Sequence, residues 1–150
     1  MAEKQMQELT SEMMQYLQGE KVIFLSTLDH EEGVPSTTCI SWLLAVSPNK
    51  LKFAIDPRSR VIENIKTNPR LTLAFIGLEG CFAISGSGSS DLKQLDGVTI
   101  KMTEVSVNVL SVRDIMFYGS KITAEPEFTK TYNLELANKF DAAVYEALSG

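Results

Sequence analysis

Two cysteines, one histidine and one tryptophan in 150 residues remove several kinds of chemistry at the outset. Cys39 and Cys81 lie far apart, form no Cys-x-x-Cys pair and fall inside apolar runs, where a free thiol behaves as a small hydrophobe. They outline neither a disulfide framework nor a zinc site. His30 would have to serve every histidine-dependent arrangement. It sits in the acidic turn LDHEEG, which suits a solvated turn residue better than a catalytic triad or a metal ligand. No apolar run approaches membrane-spanning length, and the N-terminal MAEKQMQELTSEMM carries acids where a secretion leader needs an apolar stretch. A cytoplasmic protein off the membrane is expected. Positive charge is short as well. Fourteen Lys and Arg against 19 Asp and Glu leave a net −5, which does not supply the broad basic face that nucleic acid requires.

What is present is an apolar content of 44%, enough for one globular domain spanning 1–150. Met6, Leu9, Met13 and Leu17 recur at helical spacing and predict a helix over 3–18, closed by Gly19. KVIFLSTLD, PSTTCISWLLAV (36–46), LKFAI (51–55), LTLAFIG and CFAISGSG then read as strands. Val98, Ile100 and Met102 alternate with polar residues, which predicts a strand continuing through Val105, Val107 and Val109. IMFYG (115–119) reads as the last strand, and Leu134, Ala137, Phe140, Val144 and Leu148 mark a C-terminal helix within 130–150. Short turns between strands impose antiparallel neighbours. The expected fold is mainly β (α+β), an antiparallel split β-barrel of six to seven strands with flanking helices, closed so that its edges are removed.

Positive charge does collect in one place. The window from Lys50 to Arg70 holds six bases and two acids. Here a strand feeds a short helix whose expected cap is Asp56, with Pro57 first and Pro69 after its end. Arg58, Ser59 and Arg60 fall in the first turn, where the helix dipole favours anions and disfavours cations. A phosphate gripped by arginine would resolve that conflict, and a basic face paired with nearby acids would resolve it equally well. SGSGSSD lacks the lysine of a phosphate loop, so it reads as a strand end and turn with Asp91 as a cap.

Three segments, in order, resemble the FMN-binding split-barrel family related to pyridoxamine 5′-phosphate oxidase: FLSTLDHEEGVPSTTCISW, LKFAIDPRSRVIENIKTNPRLTLAF and CFAISGSG. The resemblance covers about residues 20–120, and its middle segment is the specific part. It implies that Ser59, Arg60 and Val61 stand at the family's phosphate loop, with Val61 where a Lys is usual and Arg58 standing in for that charge. It implies that Thr38, Cys39, Ile40, Ser41 and Trp42 run along a flavin ring, and that Ala54 and Ile55 line it. It further implies a homodimer with the cofactor at the subunit interface, approached by Tyr118, with Phe117, from the partner. No catalytic side chain is identified and no metal is expected.

The function this implies is an FMN-dependent oxidoreductase acting on a small organic acceptor. The alternative is a binding protein that holds FMN, the deazaflavin F420 or a tetrapyrrole such as haem without turnover. Oxidation of pyridoxamine phosphate itself would need a second phosphate site, and Arg113, Lys121, Lys130 and Lys139 are the few bases available in the C-terminal third.

Overall fold

A computed structural model describes residues 5–89, 92–95 and 97–150, so the Asp91 cap lies outside the described residues. The elements are β1 (Gln5–Met6), α1 (Ser11–Tyr16), β2 (Ile23–Leu28), β3 (Pro35–Ile40), β4 (Leu43–Ser47), β5 (Lys50–Ile55), α2 (Arg60–Thr67), β6 (Arg70–Gly77), β7 (Gly80–Gly88), β8 (Lys93–Gln94), β9 (Thr103–Asp114) and α3 (Leu134–Ser149). All pairings are antiparallel, in the order β3-β2-β6-β7-β9-β5-β4, with the two-residue strands β1 and β8 also on β9. The sheet is a curled split barrel. Among the described residues no ladder joins β3 to β4, so the expected closure is not made by hydrogen bonds.

Alternation explains which face is buried. Ile23 and Leu25 on β2, Leu71, Leu73 and Phe75 on β6, and Val105 and Val107 on β9 point into one core with Leu51 and Phe53 of β5. Each such side chain contributes about 1.5–3 kcal/mol when fully buried. The amphipathic face of α2, with Val61, Ile62 and Ile65, seals the same core, and so do Leu9, Met13 and Leu17.

Several sequence expectations change here. The N-terminal stripe is buried as expected, but the helix is confined to 11–16 and capped by Thr10 Oγ1, which accepts from the Met13 N–H at 3.1 Å. Gln5 and Met6 pair with Arg113 and Val112 instead of joining the helix. The single strand over 36–46 is two, because the chain breaks at Ser41 and Trp42 and passes from one end of the sheet to the other. Residues 98–102 are not a strand. Val98, Ile100 and Met102 pack with Trp42, Leu44, Val144 and Leu148 in a second core, so their alternation reflects a cover over α3. IMFYG is not a strand either. β9 ends at Asp114, whose Oδ1 accepts the Met116 N–H at 3.0 Å and turns the chain. Finally, Ser59 caps α2 in place of Asp56, and Arg60 is its first residue. On α3 the buried face reads Ala137, Asp141, Val144 and Leu148, while Leu134 is exposed.

Candidate functional site

The break between β3 and β4 creates the site. The Ala54 N–H donates to the Trp42 carbonyl at 2.9 Å, which holds the end of β5 beside the bend. Around it lies an open pocket of about 330 Å³ lined by Cys39, Ile40, Ser41, Trp42, Ala54, Ile55, Asp56, Met102, Lys130 and Tyr132. Six of the residues singled out from the sequence therefore share one cavity. Thr38 precedes them on β3 and is exposed. Ser59, Arg60 and Val61 open α2 three residues beyond Asp56, and Tyr118 stands 80% exposed in the loop after β9. A smaller pocket of about 200 Å³ shares Cys39, Ile40 and Ser41 and is flanked by Val22 and Phe128.

Lys130, Tyr132 and Asp141 are not reached by the strand-and-helix reading of the sequence. Asp141 Oδ1 accepts the Trp42 indole N–H at 2.7 Å, and Asp141 Oδ2 lies 3.0 Å from Lys130 Nζ. The Tyr145 hydroxyl donates to the Ser41 carbonyl at 3.2 Å. Burial opposes the charge on Asp141, but the indole and Lys130 outweigh it and hold the carboxyl below its ordinary range. One signal was available: an acid inside the apolar stripe of the last helix is out of pattern and asks for a partner.

At the mouth of α2 the charge conflict is resolved within the chain. The Arg58 guanidinium donates to both oxygens of Asp56 at 3.1 and 2.9 Å, and Arg60 donates to Asp29 Oδ1 at 3.1 and 2.6 Å. Arg60 also lies 3.7 Å from Glu31. The Arg58 hydrogen bonds hold the Asp56 carboxyl down to about 2; the Glu32 backbone N–H, then Arg60, hold Asp29 down to about 2. Ser59 Oγ accepts the Val61 N–H at 3.2 Å, and Val61 itself is core, 7% exposed. A deeper brace fixes the β2–β3 turn to this helix. Buried Asn64 takes the His30 backbone N–H on Oδ1 at 2.8 Å and donates from Nδ2 to Thr27 Oγ1 at 3.0 Å.

Tested against a flavin, the two ends of the site differ. The wall of Ile40, Trp42, Ala54, Ile55 and Met102 is the mostly apolar, ring-sized surface that planar cofactors occupy. At the other end, Arg58 and Arg60 are exposed and solvent screens their ion pairs, so a phosphate can exchange for the carboxylates. The ring end fits, and the phosphate end fits with weakened grip.

A split barrel of this order, with an open pocket where the β3–β4 break meets the end of β5, defines the class of fold. The sequence profile of pyridoxamine 5′-phosphate oxidase matches residues 9–108, and the chain belongs to that flavin-binding split-barrel family. Among solved structures, one similar protein is from Lactobacillus delbrueckii and is named after pyridoxamine 5′-phosphate oxidase (TM-score 0.59, 15% identity, 75% of this chain and 98% of that one). Another is HupZ of group A Streptococcus (TM-score 0.60, 13% identity, 76% and 98%). A third is an F420 reductase (TM-score 0.52, 14% identity, 64% and 91%). At these identities the likeness is one of fold. No curated protein matches the chain in sequence. Among the described residues, no helix is long and apolar enough to cross a membrane.

Proposed function

We propose that the chain binds FMN in the pocket at the β3–β4 break and acts as an oxidoreductase toward a small organic acceptor. The observation that carries this reading is the gathering of Cys39, Ile40, Ser41, Trp42, Ala54 and Ile55 around one cavity, with Asp56 in its lining three residues before Ser59, in a member of a flavin-binding family. Flavin, when bound, supplies the electron chemistry. The chain's own part is to bind, orient and exclude water: Ile40, Trp42, Ala54 and Met102 give the apolar wall, and Arg60 with Arg58 gives the exchangeable cations.

The working unit in this reading is a homodimer in the cytoplasm. β3 ends the sheet, and Pro35, Thr37, Thr38 and Cys39 are all exposed on it, an edge that a second copy would cover. Phe117 and Tyr118, 70% and 80% exposed, are large rings to leave in water, and they suit delivery to the partner's pocket.

The absorption spectrum of the purified protein, before and after reduction and with added FMN, tests the proposal. A yellow protein that bleaches on reduction is expected, with turnover of NADH or NADPH in the presence of an acceptor and a dimeric mass in solution. A colourless protein that ignores FMN overturns it. A second reading, F420 or tetrapyrrole binding without turnover, is favoured by Val61 being core and by both arginines having internal partners. The same spectrum distinguishes these ligands.

A further inference from the structure

The buried carboxylate of Asp141 has a consequence for what the pocket recognises. It occupies the inward face of α3 between Ala137 and Val144, 7% exposed, where an apolar residue would pack at no electrostatic cost. A carboxylate there is tolerated only with good partners, and removing one leaves a costly buried charge. Asp141 has the indole of Trp42 at 2.7 Å and the ammonium of Lys130 at 3.0 Å, with the Glu20 carboxyl also beside it. Trp42 and Lys130 line the cavity, and Tyr132 lines it two residues after Lys130. Asp141 thus ties α3 and the segment around Lys130 to the wall of the pocket.

The Lys130 ammonium carries three N–H donors. Asp141 Oδ2 takes one. Glu20 Oε2 stands 3.8 Å away, beyond hydrogen-bonding distance, and the ring of Phe128 lies 5.3 Å below. Burial pulls the ammonium toward neutrality, but Asp141, with help from Glu20, more than offsets it, so the group stays charged across the neutral range. Among the described residues it is the one cation lining the cavity, and the one carboxylate lining it, Asp56, has both oxygens engaged by Arg58. We infer that Lys130 anchors the hydrogen-bond-accepting edge, carbonyl or oxyanion, of a planar ring in this pocket, and that Asp141 is the positioning residue that holds Lys130 and Trp42 in place. The identity of the ring as a flavin rests on the function proposed above; the anchoring role does not.

Trp42 is the only tryptophan and sits in the wall itself, so its emission reports on both claims. In the flavin-free protein, the ratio of iodide to acrylamide quenching of Trp42 should be lower in Lys130→Met than in the parent, because the variant removes the one cation lining the cavity among the described residues. With FMN as the probe, the parent should show quenching on binding. Lys130→Met should weaken that binding about tenfold, the loss of one charged hydrogen bond, and Lys130→Arg should restore most of it. Asp141→Asn, which leaves one acceptor facing two donors, should shift the free indole emission and weaken FMN several-fold. Binding of FMN by Lys130→Met within twofold of the parent overturns the inference and leaves the flavin reading standing. A parent that binds no FMN removes the flavin reading, and the iodide comparison then decides the role of Lys130 alone: an equal ratio in parent and Lys130→Met overturns it.

Discussion

Arg60, the first residue of α2, donates two hydrogen bonds to a single oxygen of Asp29 at the end of β2, at 2.6 and 3.1 Å. The cation that the family resemblance assigns to a phosphate is thus already engaged by the chain's own acid. The Arg60 end of this pair is open to solvent and the Asp29 end is largely covered, so a phosphate competes with Asp29 for Arg60. Asp29→Asn should therefore raise the preference for FMN over phosphate-free riboflavin several-fold in a fluorescence titration. Arg60→Glu should abolish the preference. If neither variant changes the ratio, phosphate does not meet Arg60.

The same pairs set an acid limit. Asp29 and Asp56 are held at about 2, against an ordinary value of 3.8. Because the folded state favours the charged form, their contribution is complete above the unfolded value and is lost as the pH falls from 3.8 toward about 2. Urea midpoints measured across that window should decline in the parent and decline less steeply in Asp29→Asn. Identical slopes would show that the hydrogen bonds of Asp29, from the Glu32 backbone N–H and then from Arg60, do not contribute to folding.

Much of this arrangement was legible in the sequence, and the failures have local causes. β2, β5, β6 and β7 were visible because a two-residue apolar period over a half-buried strand is hard to mistake. PSTTCISWLLAV offered no Gly or Pro at its centre, so nothing local marked the break at Ser41. The break comes from pairing, since β3 joins β2 while β4 joins β5. The spacing of Leu9, Met13 and Leu17 predicts a longer helix than forms, because the same apolar pattern marks burial whether or not the backbone is helical. The six pocket residues on β3, the break and β5 were reachable through the family resemblance. Lys130 and Tyr132 lie in an irregular segment whose position depends on Asp141, a contact across 11 residues from Lys130 and 99 from Trp42 that no local pattern encodes.

Gly86 shows how closely the sheet is packed at its bulge. A Cβ there would stand 2.5 Å from Val107 Cγ1 and 3.0 Å from the Asn108 carbonyl oxygen, on the strand opposite. Gly86→Ala should cost about 1–3 kcal/mol in urea denaturation. In a Val107→Ala background, which itself costs a buried side chain, the same substitution should cost less, because one of the two obstructing atoms is gone. Strict additivity of the two changes would mean that the strands separate freely at this point.

The turn between β6 and β7 offers the opposite kind of change. Leu78 and Glu79 both adopt positive φ, 53° and 65°, between the paired Gly77 and Gly80. This is a two-residue hairpin turn of the type that favours Asn-Gly, and an L-residue in that region costs about 1–2 kcal/mol. Glu79→Gly removes the strain at one position. It also removes a 3.7 Å ion pair with Lys121, but both side chains are about 70% exposed, so the pair is worth less than the strain. The Ile122 N–H donates to the Glu79 carbonyl at 2.9 Å, a bond that glycine keeps. Glu79→Gly should therefore raise the midpoint of thermal unfolding by about 2–4 °C, while Lys121→Ala should leave it nearly unchanged. A lower midpoint for Glu79→Gly would mean that its side chain, through Lys121, outweighs the backbone cost of the turn.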